Sequence, residues 1–283
     1  MTAASPLSVL QGETAAIATK HDKQRQFAGP LLELVGLDLI VAEVDTDLLG
    51  TFSGEVPRTQ SALDTVRRKA RWAIEHTGVA IGLASEGSFG PHPAIPWLPV
   101  GIELAVLVDD HRGLEIIERH LVTDTNFDHV VVHELPVPGA FLDRVGFPDH
   151  ALVVTPPSNT LPLFKAVRDL DTLDHAVRGC VDTAGAALVQ TDMRAHLNPT
   201  RQRALAQLAL KLARRVASTC PACAAPGWGI VDVESGLPCE WCGEPTSQIA
   251  YDVFACARQG CTARDHLSRD FLADPGQCSR CNP

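Results

Sequence analysis

The densest chemistry in the chain is thiol. Eight of its nine cysteines lie between Cys220 and Cys281. Cys220-Pro-Ala-Cys223 is followed, fifteen residues on, by Cys239-Glu-Trp-Cys242; Cys256 and Cys261 then stand at a Cys-x4-Cys spacing, sixteen residues before Cys278-Ser-Arg-Cys281. Two thiolates two residues apart reach one ion from a tight turn, and a second such turn completes the tetrahedron that zinc prefers. The spacing predicts two structural Zn2+ sites, the first on Cys220, Cys223, Cys239 and Cys242 and the second on Cys256, Cys261, Cys278 and Cys281. Interleaved pairing is the alternative. A disulfide framework would suit a secreted chain, but Met1 to Gly12 shows no basic stretch followed by an apolar one. Four sulfurs leave no open coordination position, so these ions would hold structure rather than catalyse. Cys180 stands apart beside Val177 and Val181 and reads as a buried structural thiol.

A second kind of chemistry sits in three polar segments that follow apolar runs. Thr19, Lys20, His21 and Lys23 succeed Ala15–Ala18, with Arg25 just beyond. Ammonium groups beside the amides of a helix start form a cradle for phosphate, although a solvated basic loop would look the same. Ser85-Glu86-Gly87-Ser88 projects one carboxylate from a strand end, where it could hold Mg2+ or position water, or cap the turn that follows. The third segment runs from Thr191 to Arg201. Asn198-Pro199 is a helix start, and Asp192, Arg194, His196 and Arg201 surround it. From Arg194 to Arg215 there are six basic residues and no acidic ones. An anion site at the helix start and a solvated basic face along its body are compatible readings.

The elements that must position these groups alternate. Ala15–Ala18 reads as a strand, and Phe27, Leu31, Leu32 and Val35 as a helix closed by Gly36; Leu37–Ala42 is the next strand. A loop over Leu49–Pro57 precedes a helix from about Ser61 to His76, and Val79–Ala84 is a buried strand stopping at Ser85. Four prolines in Gly90–Pro99 predict an irregular flap. Glu103–Val108 and Leu114–Val122 form a hairpin about Asp109–Gly113. Further strands are expected near His129–His133, Ala151–Thr155 and Ala186–Gln190, with helices near Ala140–Val145, Leu161–Cys180 and Pro199–Ala217. In the last helix Leu205, Leu208, Leu212 and Val216 face inward, with Arg203, Lys211, Arg214 and Arg215 outside. This alternation specifies an α/β fold with a mixed, largely parallel sheet flanked by helices, followed by a small zinc-ribbon domain. The division falls near Ser218, giving domains 1–218 and 219–283.

Composition bounds the function. At 283 residues the chain is long enough for about two domains, and 45% hydrophobic residues exclude disorder as a whole. No apolar run approaches the roughly 20 residues of a membrane span, so the sequence reads as a soluble, cytoplasmic protein. A net charge of −10 argues against coating nucleic acid. The tail from Thr219 on carries four Arg against eight Asp or Glu, without basic residues interleaved among its aromatics. A protein partner fits the ribbons better than nucleic acid does.

In the order of its motifs the first part of the chain resembles the inosine/xanthosine triphosphate pyrophosphatases and the Maf group. Ala18-Thr19 and Lys23 match their strand-to-helix loop, with Lys20 or His21 where an Asn is expected; Val66-Arg67-Arg68-Lys69-Ala70-Arg71 and Val79–Gly87 match the helix and the acid-ended strand that follow. That resemblance implies a nucleotide-pyrophosphatase-like domain with Glu86 as its magnesium carboxylate, and with Asp64 or Glu55 standing in for an absent acid. Over its whole length the chain resembles a bacterial family of unassigned reaction that joins such a domain to a C-terminal zinc ribbon; Ala84–Pro93, Leu121–Phe127, Thr191–Arg201 and Pro238–Gly243 carry the likeness. The leading expectation is magnesium-dependent hydrolysis of a nucleotide or related phosphorylated metabolite. Thr19, Lys20, Lys23, Arg194, Asn198 and Arg201 would bind phosphate, and Glu86, His21 and His196 would be catalytic. The alternative is a non-catalytic nucleotide-sensing or protein-interaction module braced by zinc.

Overall fold

The computed structural model describes residues 9–50, 60–92, 95–158 and 163–283. The expected Leu49–Pro57 loop, and with it Glu55, falls mostly outside them. Strand β1 (Thr14–Ala18) leads to α1 (Gln24–Val35), whose buried Phe27, Leu31 and Val35 recur every four residues. Gly36, at φ 72°, ends the helix by donating to the Leu31 and Leu32 carbonyls, because the left-handed backbone of that cap costs glycine little. Then come β2 (Asp38–Ala42), a 3-10 turn at Thr46–Leu49, and α2 (Ala62–Thr77), capped by the Ser61 hydroxyl accepting from Asp64 N. β3 (Ile81–His92), β4 (Ile95–Asp109) and β5 (Leu114–Val122) complete a five-stranded sheet in the order β2-β1-β3-β4-β5.

Two expectations change here. Only the β1–β2 and β1–β3 pairs are parallel; β3, β4 and β5 follow one another through short connections and pair antiparallel, which direct strand-to-strand links require. The sheet is mixed rather than largely parallel. Strand β3 also does not stop at Ser85. Its parallel partner ends at Ala18 opposite Ala84, but β3 runs on against β4 through Glu86 to His92, so the proline segment forms a ribbon, with Pro91 paired to Pro99, instead of an irregular flap. Glu86 is therefore a mid-strand residue, standing just past the point where β1 ends.

The strand period of two sorts the sheet's faces. Ala15 and Ile17 of β1, Ile81 and Leu83 of β3, Ala105 and Leu107 of β4 and Ile116 of β5 share one core with α1 and with α5 (Pro199–Ala217), which contributes Leu205, Leu208, Leu212 and Val216. The opposite face, through Ala84, Val106 and Val108, packs on Val66 and Ala70 of α2. Gly82 lets that helix lie close, since a Cβ there would strike the Ala70 carbonyl.

A second sheet, order β6-β9-β7-β8, joins β6 (His129–Val132), β7 (Leu152–Thr155), β8 (Phe164–Val167) and β9 (Ala187–Thr191), all antiparallel. With α3 (Gly139–Val145) and α4 (Leu170–Ala184) it builds a separate core that includes the buried Cys180. The helix expected over Leu161–Cys180 thus begins only at Leu170, capped by Asp169; Phe164–Val167 pairs with β7 instead. The cysteine-rich tail forms a third sheet, β10 (Gly229–Ser235), β11 (Ile249–Ala255) and β12 (Arg264–Ser268), over a core of only Leu237, Ala250 and Ala273. No helix among the described residues is long and apolar enough to cross a membrane.

Candidate functional site

The three polar segments converge. Thr19, Lys20, His21 and Lys23 from the β1–α1 loop, Glu86 from β3, Arg194 from the β9–α5 connection and Arg201 from the first turn of α5 line one cleft beyond the C-terminal end of β1. Thr46, Asp47 and Gly50 wall it on the β2 side, and Lys69, Ser85 and Gly87 complete it. The position is the one where open α/β sheets collect ligands, since loops and helix starts meet there without a strand to cover them. Free space within it is about 60 Å3. A single water position needs roughly 10–15 Å3, so the cleft has room for a small polar group.

Two residues of the expected set lie behind the cleft. Asn198, fully buried, caps α5 by accepting from Arg201 N at 2.9 Å, and its amide donates to Asn126 Oδ1 at 2.9 Å. His196 stacks on His21 with ring centroids 5.0 Å apart. Asp64, in the first turn of α2, accepts from the Ser61 hydroxyl at 2.6 Å and pairs with Arg67, outside the lining of the cleft. Arg215, expected on the solvated face, is instead buried.

The cations in the cleft differ in what holds them. Lys20 is exposed and bound to Asp45 at 2.7 Å and Asp47 at 2.8 Å; those hydrogen bonds raise its pKa. Lys69 sits on the Glu86 carboxylate, both buried. Arg201 grips Glu103 of β4, Nε to Oε1 at 2.6 Å, and also donates to the Met193 carbonyl. Arg194 is forked onto the buried Asp192 at 2.6 and 3.0 Å. Lys23 is the exception: its Nζ donates to the Ser85 carbonyl at 2.7 Å, with no carboxylate on it among the described residues. Burial, and then the nearby Arg201, push its pKa down to about 8, so it stays mostly charged at pH 7.

Polar atoms beside these cations also lack partners. The Ser85 hydroxyl and the Nδ1 atoms of His21 and His196 are buried without a hydrogen bond to any described residue. A buried polar atom left unsatisfied costs about 1–3 kcal/mol, so such atoms gathered at one cleft mark a place where a ligand or ordered water completes the structure. Burial, Lys23 and His196 lower the His21 pKa to about 4, which makes the ring neutral at pH 7; burial and Arg194 lower that of His196.

Lys69 is the member that motif reasoning left without a role. Its signal was in the helical period: Thr65, Val66, Ala70 and Ala73 form the buried stripe of α2, and Lys69 lies on it. A lysine on a buried stripe needs an anionic partner, here Glu86. Its presence bears on magnesium. The ammonium occupies the carboxylate that the metal would need, Asp47 is held by Lys20, and the metal-capable clusters among the described residues are both thiol quartets. The cleft does not fit Mg2+ as arranged.

The quartets are Cys220, Cys223, Cys256 and Cys261, and Cys239, Cys242, Cys278 and Cys281. This is the interleaved pairing, not the sequential one, because antiparallel β10, β11 and β12 bring each Cys-x2-Cys turn against a turn from the other half of the tail. Sγ–Sγ separations are 3.9 and 3.6 Å in the first and 3.9 and 3.7 Å in the second. Sulfurs about 2.3 Å from a tetrahedral zinc stand about 3.8 Å apart, so each quartet could hold one zinc ion. With so small an apolar core around them, the ions would supply much of the local folding free energy.

No curated protein and no solved structure matches the chain, so these comparisons show no likeness to the pyrophosphatases. A family profile, Domain of unknown function (DUF6671), matches residues 69–283, which take in Lys69, Glu86, Arg194, Arg201 and all eight tail cysteines. On that match the chain belongs to the DUF6671 family.

Proposed function

We propose that the cleft recognises the phosphoryl group of a small phosphorylated metabolite, a nucleotide among the candidates, and that it does so by direct charge rather than through magnesium. The observation that carries this reading is Lys23: a buried ammonium, next to Arg201, whose one hydrogen-bond partner among the described residues is the Ser85 carbonyl. A phosphate oxygen there would neutralise it, and the Ser85 hydroxyl and His21 Nδ1 would gain a hydrogen-bonding partner. The free space is small, so the cleft would take the phosphoryl group while the remainder of the ligand extends past Thr46 and Asp47 into solvent. Lys69 on Glu86 favours recognition over metal-assisted cleavage.

The test is a thermal-shift and turnover panel on the zinc-loaded chain, using inorganic phosphate, nucleoside mono-, di- and triphosphates and sugar phosphates, each with and without Mg2+. Stabilisation by phosphorylated ligands that is independent of Mg2+ and lost in Lys23→Met supports the proposal. An unchanged midpoint across the panel refutes it. Turnover that requires Mg2+ and disappears in Glu86→Gln would replace it with the hydrolase reading.

A further inference from the structure

A roomier concavity than this cleft lies where the cysteine-rich tail meets the main sheet. It is a groove of about 1010 Å3 between β5, the C-terminal half of α5 and strand β10. Arg215 fastens its floor: buried, it donates to the Ile117 carbonyl of β5 at 2.7 Å and the Ile230 carbonyl of β10 at 3.0 Å, and pairs with Glu118 at 3.1 Å. The groove is thus a fixed feature of the fold.

Its lining combines two properties. Strand β10 is the outer strand of its sheet, with no further strand paired to it among the described residues, and it exposes Ile230, Val231 and Val233. Such an edge offers backbone donors and acceptors to an added strand. Around it stand Arg119, Lys211, Arg214 and Arg258. Among the described residues Arg119, Arg214 and Arg258 have no carboxylate partner, while Lys211 meets His120 Nδ1 at 3.2 Å. The acids of the groove are mostly engaged: Glu115 is held by Arg67 and Arg71, and Glu118 by Arg215. In a chain of net charge −10 this is a local surplus of cations beside an open, aliphatic strand edge.

We propose that the groove is a docking site for an extended segment of a partner protein in which acidic residues alternate with apolar ones, added along the edge of β10 beyond Ile230, whose carbonyl Arg215 holds. The edge supplies main-chain hydrogen bonds, Ile117, Ile230, Val231 and Val233 receive the apolar side chains, and the unpaired arginines receive the carboxylates. A single-stranded nucleic acid fits less well. The Trp228 and Phe254 rings stack on each other, centroids 6.2 Å apart, and the rest of the apolar lining is aliphatic, so bases find few free faces.

A phage-displayed library of random dodecapeptides, selected on the zinc-loaded full chain, tests this. The expected result is enrichment of peptides that alternate acidic with apolar residues, bound at least tenfold more weakly by the Arg214→Glu/Arg258→Glu double variant, with added hydrogen-exchange protection in β10 on binding. Both substituted side chains are exposed, and an unchanged zinc content and thermal midpoint would verify the variant's fold. No enrichment, enrichment of basic or uncharged peptides, undiminished binding by the double variant, unaltered exchange in β10, or displacement of the peptide by an equimolar dT15 oligonucleotide would each overturn the proposal. The phosphate cleft plays no part in the readout, so the two proposals fail separately.

Discussion

Arg201, in the first turn of α5, holds Glu103 of β4 with its Nε 2.6 Å from Oε1 and its Nη2 3.3 Å from Oε2, and both side chains are buried. The pair ties the start of α5, just after the connection that carries Arg194, to the sheet that carries Glu86. Removing one partner leaves a buried charge uncompensated, so Arg201→Ala should destabilise the chain by about 3–5 kcal/mol in denaturant unfolding. The double variant Arg201→Met/Glu103→Leu should recover much of that loss. Equal loss in both would show that packing, and not the uncompensated carboxylate, sets the cost.

Gly87 is required by the same pair. A Cβ at that position would stand 2.5 Å from Arg201 Nη2 and 2.8 Å from Glu103 Oε1. Gly87→Ala should push the guanidinium off its carboxylate and weaken phosphate-dependent stabilisation along with intrinsic stability. A wild-type thermal midpoint with intact ligand response would contradict this.

Lys23→Met separates stability from recognition. The ammonium is buried at the expense of its hydration, so replacing it with an apolar chain of similar length should leave the unliganded midpoint equal or higher while abolishing the shift produced by phosphorylated ligands. A lowered midpoint in the absence of ligand would show that Lys23 is a structural clamp on the Ser85 carbonyl.

Acid should act through His21. Its pKa falls from 6.5 to about 4 on folding, so between those values the unfolded chain takes up a proton that the folded chain refuses. For this group the stabilising contribution is present above pH 6.5 and is lost as the pH falls towards 4, with a slope of at most about 1.4 kcal/mol per pH unit. His21→Asn should flatten that part of the stability profile relative to wild type, measured by chemical denaturation from pH 4 to 7. Superimposable slopes would show that the ring titrates normally.

Zinc pairing can be read by stoichiometry. Two ions per chain are expected, and Cys223→Ser should release one. The double variant Cys223→Ser/Cys256→Ser should also lose only one, because both cysteines belong to one quartet, whereas Cys223→Ser/Cys239→Ser should lose both. Sequential pairing predicts the reverse for the two double variants. Chelation of both ions should unfold the tail, whose apolar core cluster is just three side chains, Leu237, Ala250 and Ala273.

Local rules made most of the elements legible. The four-residue spacing of Phe27, Leu31 and Val35 and the glycine at position 36 define α1, and Asn198-Pro199 defines the start of α5, because caps and helical faces depend on neighbours in sequence. The same rules picked out the eight cysteines of the two quartets from their turns, and the basic loops from their composition. They erred where pairing decides. Phe164–Val167 became a strand because β7 was beside it, and β3 continued past Ser85 because β4 was there to pair with it.

Sequence alone thus determined which residues could do chemistry here: thiols in paired turns, and lysines, arginines and histidines at the ends of apolar runs. Only the tertiary structure decided their partners. The antiparallel tail exchanged the cysteine pairs between the two quartets, and packing of α2 and α5 on opposite faces of one sheet placed Lys69 on Glu86 and Arg201 on Glu103. The physical reason is the same in each case. Spacing along the chain fixes what a turn or helix face presents, but the charge or sulfur that meets it comes from 17 to 98 residues away, and burial makes that meeting obligatory.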